Sequence, residues 1–143
     1  MKPLLIAALL GVGTAASTRP ASPMTGTLKD TTPAAVKAAI AKLYPTAKNV
    51  KYSKENADYE VGFKQNGKSM SVVLDAKGVV KETETVIGVS ALPAVIRDYV
   101  AKKAPGKKIT EAAEIVDAKG VKTYEAEVGG KDLLFDAAGK PIK

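Results

Sequence analysis

The chain has 143 residues, 45% of them hydrophobic, which is typical of a globular protein with one compact domain or two very small ones. It contains no cysteine and no histidine, so disulfides, thiolate metal sites and histidine-based acid–base catalysis are excluded. The formal net charge of +7 is compatible with a nucleic-acid partner, provided that the positive charges are concentrated on one surface.

The N-terminal residues have the pattern of a secretory signal peptide. Lys2 precedes an apolar run at residues 4–12, and small side chains at residues 14–17 provide a cleavage site. The run is shorter than the roughly 20 apolar residues of a spanning helix, and the alternatives are an uncleaved anchor or a frayed helix. We predict a signal peptide at residues 1–17, a flexible linker at residues 18–30, and an exported protein, periplasmic or extracellular, with no membrane span after signal removal.

The segments TPAAVKAAIAKLYP and LPAVIRDYVAKKAP each predict a short helix between two prolines. Pro33 and Pro93 suit the first helical position, with Thr32 as an N-cap. The second proline of each segment ends the helix, because the residue before a proline avoids the helical region. The spacing predicts that one helix face carries the apolar residues Val36, Ile40 and Leu43 in the first segment, and Ile96, Tyr99 and Val100 in the second.

Strand patterns follow each helix and recur in the same order. In YEVGF and YEAEV apolar side chains alternate with polar ones, and LDAKG and FDAAG occupy matching places further on. We therefore predict an α+β fold of two tandem helix-plus-four-strand repeats, residues 31–88 and 89–143, with the helices packed on one face of an antiparallel sheet. One repeat alone is too small to be stable, so we expect the two to share a core as one structural unit.

The sequence DAKG occurs at residues 75–78 and 117–120, and DAAG occurs at residues 136–139. An Asp that accepts a hydrogen bond from the backbone two residues on, followed by a Gly with positive φ, is typical of a hairpin turn. A calcium loop needs about six to eight oxygen ligands and several acids at alternate positions, whereas each of these segments offers one acid. We interpret all three as turns, and we predict no metal and no cofactor.

These residues resemble the PepSY-like family of secreted bacterial proteins. The resemblance rests on TPAAVKAAIAKLYPTAK, YEVGFKQNGK, VVLDAKGVV and KETET, and it covers nearly all of residues 31–143 as two copies. It implies an exported tandem-repeat protein with the fold of β-lactamase inhibitory protein, no cofactor and no catalytic residues. The chain departs from the family pattern at Val79 and Val80, where an aromatic residue is usual, and in its shortened last strand.

Catalysis and nucleic-acid binding are both disfavoured by the residue pattern. On a strand Lys68 points away from the neighbouring serines, which excludes a Ser–Lys pair. Glu82 and Glu84 share one strand face, and we interpret them as a solvated face with ordinary pKa values rather than an acid–base pair. The basic cluster at residues 102–108 is interpreted as helix-end charge compensation. We predict neither an enzyme nor a nucleic-acid partner.

A binding module is the function that these patterns favour. With helices on one face of the sheet, the other face is open to a partner. It carries the candidate binding residues Lys51, Glu60, Lys64, Ser71, Glu82, Glu84 and Glu125. We predict an exported, non-catalytic module that binds a protein, with inhibition as one form of that binding, or a component of the cell envelope. The alternative is a structural or stress-related periplasmic protein with no defined ligand.

Overall fold

The computed structural model describes residues 31–142, and the predicted signal peptide and linker lie outside the described residues. The described part of the chain forms helices α1 (Ala34–Leu43) and α2 (Ala94–Lys103), a 3₁₀ turn at Val89–Ala91, and eight strands. The strands are β1 (Lys48–Glu55), β2 (Asp58–Gln65), β3 (Lys68–Asp75), β4 (Val80–Ile87), β5 (Ile109–Asp117), β6 (Lys122–Val128), β7 (Lys131–Asp136) and β8 (Pro141–Ile142).

All eight strands belong to one antiparallel sheet, in which each strand is hydrogen-bonded to the next along the chain. Helix α1 precedes β1, and α2 lies between β4 and β5 in the sequence. These two strands nevertheless pair directly, with Glu84 opposite Ile115 and Val86 opposite Ala113. The predicted α+β class with an antiparallel sheet is confirmed for the described residues.

The two helices end where the prolines predict, but each begins one residue later than expected. Pro33 and Pro93 have extended ψ angles of 144° and 136° and stand at the N-cap. The prediction that they occupy the first helical position, with Thr32 as the N-cap, is therefore wrong by one residue. The C-caps Tyr44 and Ala104 share φ −131° and ψ 63°, and the proline after each excludes a further helical turn.

Buried apolar side chains form two clusters, one beneath each helix. The first includes Val36 and Ile40 of α1, and the second includes Leu92 with Ile96 and Val100 of α2. The strands contribute Tyr59, Val61, Phe63, Val72 and Leu74 to the first cluster, and Ala112, Ala126, Val128 and Phe135 to the second. A continuous sheet thus joins two apolar clusters in the described residues, and the expectation that the two repeats form one structural unit stays a prediction.

The end of α1 departs from the predicted apolar face. Leu43 is 50% exposed, whereas Ile40 is 2% exposed. Tyr44, the first residue past the helix, packs its ring against Phe63 with centroids 4.6 Å apart, so it takes the place beside the core that Leu43 was predicted to fill. The prediction for Leu43 is wrong, because the chain leaves the helix at this point.

The three Asp-Ala-x-Gly segments are hairpin turns with one shared geometry, as predicted. Oδ1 of Asp75 accepts hydrogen bonds from the backbone N–H groups two and four residues later, at 2.8 and 3.0 Å, and Asp117 and Asp136 accept the equivalent pairs. The glycines have positive φ angles: 83° at Gly78, 80° at Gly120 and 80° at Gly139. Each carboxylate is thus engaged by its own turn.

Candidate binding face

The open face is the sheet surface opposite the two apolar clusters. The odd-numbered residues 59–63 of β2 enter the first cluster, so Glu60 and Gly62 lie on the other side of the strand. Residues that are directly paired across neighbouring strands share a face. Gly62 pairs with Ser71, and Ser71 pairs with Glu84, which extends the open face from β2 through β3 to β4.

The structure places all seven candidate binding residues on the open face. It brings five of them together around one cavity, and it leaves Glu82 and Glu125 outside the lining of that cavity. The five that line the cavity are Lys51, Glu60, Lys64, Ser71 and Glu84. Their common location is a structural fact, and their role in binding stays a prediction.

We call this cavity, which lies over β1 to β4, the basin. Its volume is about 800 Å³, which is within the usual range of ligand sites. Lys51 and Lys64 are exposed, whereas Ser71 and Glu84 are buried. The basin therefore has cations at its rim and carboxyl groups at its floor. Its lining also includes Ser53, Glu60, Gly62, Ser69 and Val86.

Gly62 keeps the centre of the basin open. A Cβ built at this position meets no atom within 4 Å, so the space directly above Gly62 is open. Glycine weakens a strand interior, and it often marks a place where a ligand or another backbone approaches closely. Sequence reasoning missed this residue, although a glycine in the middle of the alternating YEVGF pattern was the available signal.

Glu84 lies at the floor of the basin with 1% of its surface exposed. Burial raises the pKa of Glu84 to about 8, and the nearby carboxylates, with Glu125 and Glu60 the strongest, act in the same direction. The interpretation of Glu82 and Glu84 as a solvated face with ordinary pKa values is therefore wrong. Strand β4 is central in the sheet, between β3 and β5. These neighbouring strands bury the Glu84 side chain, which the alternating sequence pattern alone would place in solvent.

The carboxyl groups around Glu84 are shifted in the same direction. Burial raises the pKa of Glu125 to about 7, and repulsion from Asp132 adds to the shift. Burial also raises the pKa of Glu60 and of Glu82. Carboxyl groups that share a poorly solvated face ionise together only at a cost in free energy. The open face therefore holds part of its carboxyl groups in the neutral form at neutral pH.

Hydrogen-bond donors are scarce at the basin floor. The Ser71 hydroxyl lies 3.5 Å from Oε2 of Glu84, and its hydrogen bond to Glu60 opposes the raised pKa of that residue. A hydroxyl has one hydrogen, so Ser71 satisfies one carboxyl group at a time. Oε1 of Glu84 is buried and has no hydrogen-bond partner. The floor thus offers more acceptors than the chain itself can satisfy.

Within residues 31–142, no group of three or more acidic side chains is arranged to hold a metal ion. Neither helix in this part of the chain has the length and hydropathy that a bilayer crossing requires.

The described residues form an α+β protein with one eight-stranded antiparallel sheet, whose open face lies opposite the two apolar clusters. The chain belongs to the PepSY-like family: the family model, described as "putative beta-lactamase-inhibitor-like, PepSY-like", matches residues 28–82 and 68–143. The resemblance seen in the sequence is thereby confirmed. No curated protein matches this chain by sequence.

Several solved structures are similar to this one. A DUF2874 family protein from Bacteroides uniformis is 25% identical, with a TM-score of 0.69, over 78% of this chain and 86% of that chain. A protein from Bacteroides eggerthii, described as "putative periplasmic", is 21% identical with a TM-score of 0.70 over the same shares. A BLIP-like protein from Bacteroides fragilis is 20% identical with a TM-score of 0.61, over 76% of this chain and 82% of that chain. These likenesses establish the fold.

Proposed function

We propose that this chain is an exported, non-catalytic module that binds another protein through the open face, with the basin at the centre of the contact. The observation that carries the proposal is a cavity of about 800 Å³ on the helix-free sheet surface. Gly62 leaves its centre unfilled, and Glu84 at its floor is buried without full hydrogen bonding. Such a concave surface with convergent polar groups is typical of a binding site.

The comparisons favour a protein as the partner. The matching family is described as beta-lactamase-inhibitor-like, and the Bacteroides fragilis relative is described as BLIP-like. A purely structural or stress-related periplasmic protein is the alternative, and it gives no reason for a central strand to bury an incompletely bonded carboxyl group. Burial of such a group costs free energy. A partner that donates hydrogen bonds to the group offsets that cost, whereas a purely structural role supplies no such donor.

We further infer that residues 31–88 and 89–143 are tandem copies of one helix-plus-four-strand unit, with both helices on the same sheet face. The matching C-cap dihedrals and the two segments of the family match support this. When the YEV and YEA segments are aligned, Gly62 of β2 corresponds to Glu127 of β6. The basin is therefore a property of the first copy.

Affinity capture from an envelope extract of the native host tests the proposed function. Wild-type protein is expected to enrich a partner protein, and Gly62→Leu is expected to lose it, because the leucine side chain fills the basin. The matched control is Ala101→Leu, which adds the same side chain to the exposed surface of α2. Capture by Gly62→Leu at the wild-type level would exclude the basin as the contact, and no enrichment over bare resin would favour the structural alternative.

We propose export through the predicted signal peptide at residues 1–17, followed by the linker at residues 18–30. The charged, apolar and small-residue regions support it, as does the periplasmic description of the Bacteroides eggerthii relative. Intact-mass analysis of the protein from its native host is expected to show the loss of about 16 to 20 residues. Full-length protein in the cytoplasm would contradict export.

A further inference from the structure

The basin floor lacks donors for its buried carboxyl oxygens. Oε1 of Glu84 is buried without a hydrogen-bond partner, and so is Oε1 of Glu82, which lies on the same strand face outside the basin lining. Protonation converts one carboxyl oxygen into a donor, and the oxygens that remain acceptors still lack donors. Buried polar atoms in native proteins are nearly always paired. These oxygens therefore point to donors that a binding partner supplies.

The open face is acidic although the chain is basic overall. Each charged group that shifts the pKa of Glu84 is another carboxylate. The lysines at the rim, Lys51 and Lys64, are exposed, and their flexible stems let the ammonium groups move into solvent. By strand register, the acidic side chains of the open face include Glu60, Glu82, Glu84, Asp117, Glu125, Glu127 and Asp132, besides Asp58, which is ion-paired with Lys81. The field at the floor therefore favours a cationic group.

We propose that the basin receives an arginine side chain of the partner protein, and that Glu84 and Glu60 bind its guanidinium group. This inference rests on the proposed function and names the chemistry of the partner. A guanidinium group has five N–H donors in a planar fork, which matches a floor with several carboxyl acceptors and one hydroxyl donor. Gly62 leaves room for the side chain to enter, and Val86 in the lining suits its aliphatic stem.

A metal ion is a weaker fit to the same charge. Calcium requires about six to eight oxygen ligands at short, defined distances. In residues 31–142 no three acidic side chains have such an arrangement. A guanidinium group spreads its charge over a plane and binds carboxylates that are further apart, so the organic cation is favoured.

Peptide binding to the full chain, followed by NMR, tests this inference. The probe is acetyl-Gly-Ala-Arg-Ala-Gly-amide, and its control contains citrulline, which keeps the shape of arginine and removes the charge. A pH of about 8.5 keeps most of Glu84 ionised, given its raised pKa of about 8. We expect the arginine peptide to shift the backbone amide signals of Gly62, Ser71 and Glu84, and the citrulline peptide to bind at least about tenfold more weakly.

Three variants locate the interaction. Glu84→Gln, which keeps the side-chain shape, is expected to weaken binding of the arginine peptide by at least about tenfold. Gly62→Leu is expected to abolish it by filling the basin. The control is Asp132→Asn, which removes one negative charge from an exposed position of the open face outside the basin lining. It is expected to change the affinity by less than about twofold. Thermal melts of each variant check that it is folded.

Specific outcomes overturn the inference. They are equal affinities for the arginine and citrulline peptides, equal losses in Glu84→Gln and Asp132→Asn, or no shift of basin amides at millimolar arginine peptide. The captured partner separates this inference from the proposed function. If Gly62→Leu loses the partner and Glu84→Gln retains it fully, the basin binds a protein without an arginine contact. If both variants retain it, the proposed function fails as well.

Discussion

At the scale of single residues, two of the three turn glycines have a second constraint besides their positive φ. A Cβ at Gly78 would lie 2.6 Å from the carbonyl oxygen of Ala35 in α1, and a Cβ at Gly139 would collide with Cγ1 of Val95 in α2. A Cβ at Gly120 meets no atom within 4 Å. The turns at Gly78 and Gly139 therefore also pack directly against helices α1 and α2, whereas the turn at Gly120 does not.

Alanine substitutions at these glycines separate the two constraints. Gly120→Ala is expected to lower the free energy of unfolding by about 1 kcal/mol, the cost of Ala at positive φ. Gly78→Ala and Gly139→Ala are expected to cost at least about 1 kcal/mol more, because a helix must shift. The effect is largest at Gly78, where the obstacle is backbone rather than a half-exposed valine. Urea denaturation measures all three, and equal losses would contradict the helix contact.

The buried carboxyl groups predict how stability depends on pH. The folded state raises the pKa of Glu84 to about 8, from an ordinary value of 4.5, so the native protein holds a proton that the unfolded chain has lost. Stability falls with rising pH wherever the native state binds more protons. The melting temperature of the wild type is therefore expected to fall as the pH rises from about 5 to about 8. With no histidine in the chain, this window contains no histidine titration.

Glu84→Gln tests the source of that slope. Glutamine resembles the neutral carboxyl group and does not titrate, so the melting temperature of the variant is expected to fall less over the same window. The residual slope belongs to Glu125, whose pKa is raised to about 7, and to Glu60 and Glu82. Asp132→Asn is the control and keeps most of the wild-type slope. Identical slopes in Glu84→Gln and the wild type would show that Glu84 ionises normally.

The sequence predicts the site only in part, for reasons visible at individual residues. Alternation along β2 is enough to place Glu60 on the face opposite the core, because a strand has a period of two. The burial of Glu84 depends on which strands become neighbours of β4, and local alternation carries no information on that pairing. The basin depends on the missing side chain of Gly62 in the context of β1 and β3, which is also a property of the assembled sheet.

At the scale of elements, the turns and strand faces follow from local chemistry, and the buried face of α1 does not follow completely. The hydrogen bonds that the Asp carboxylate of each turn accepts all lie within five residues of the chain. The helix face in contact with the sheet depends on where the chain leaves the helix. Tyr44 departs from the helix and packs on Phe63, so Leu43 remains half exposed.

Truncations in α1 test this assignment. Ile40→Ala is expected to destabilise the protein by about 2–5 kcal/mol, because it removes a buried side chain and leaves a cavity. Leu43→Ala removes a similar volume three residues later and is expected to change the free energy of unfolding by no more than about 0.5 kcal/mol. The exposures of 2% and 50% are the basis of the contrast. Comparable losses in urea denaturation would place Leu43 in the core.

At the scale of the whole molecule, the sheet joins two units that have separate apolar clusters. The pairing of β4 with β5 continues the sheet across the boundary at residue 88, with Thr85 opposite Glu114. Each half alone has about 55 residues, and a domain of that size buries only about 60% of its unfolded surface. Separation would also expose β4 and β5 as unpaired edges. These costs favour cooperative unfolding of both halves despite the divided core.

Tyrosine fluorescence tests this cooperativity, because the chain has no tryptophan and its five tyrosines lie in both halves. A protein with Tyr99→Phe and Tyr124→Phe reports on the first half through Tyr44, Tyr52 and Tyr59. In this background, Ile96→Ala in the second cluster is expected to lower the midpoint of the first-half signal, because the two halves unfold in one transition. A first-half midpoint unchanged by Ile96→Ala, together with two calorimetric transitions, would mean that the halves unfold independently and that the β4–β5 pairing couples them only weakly.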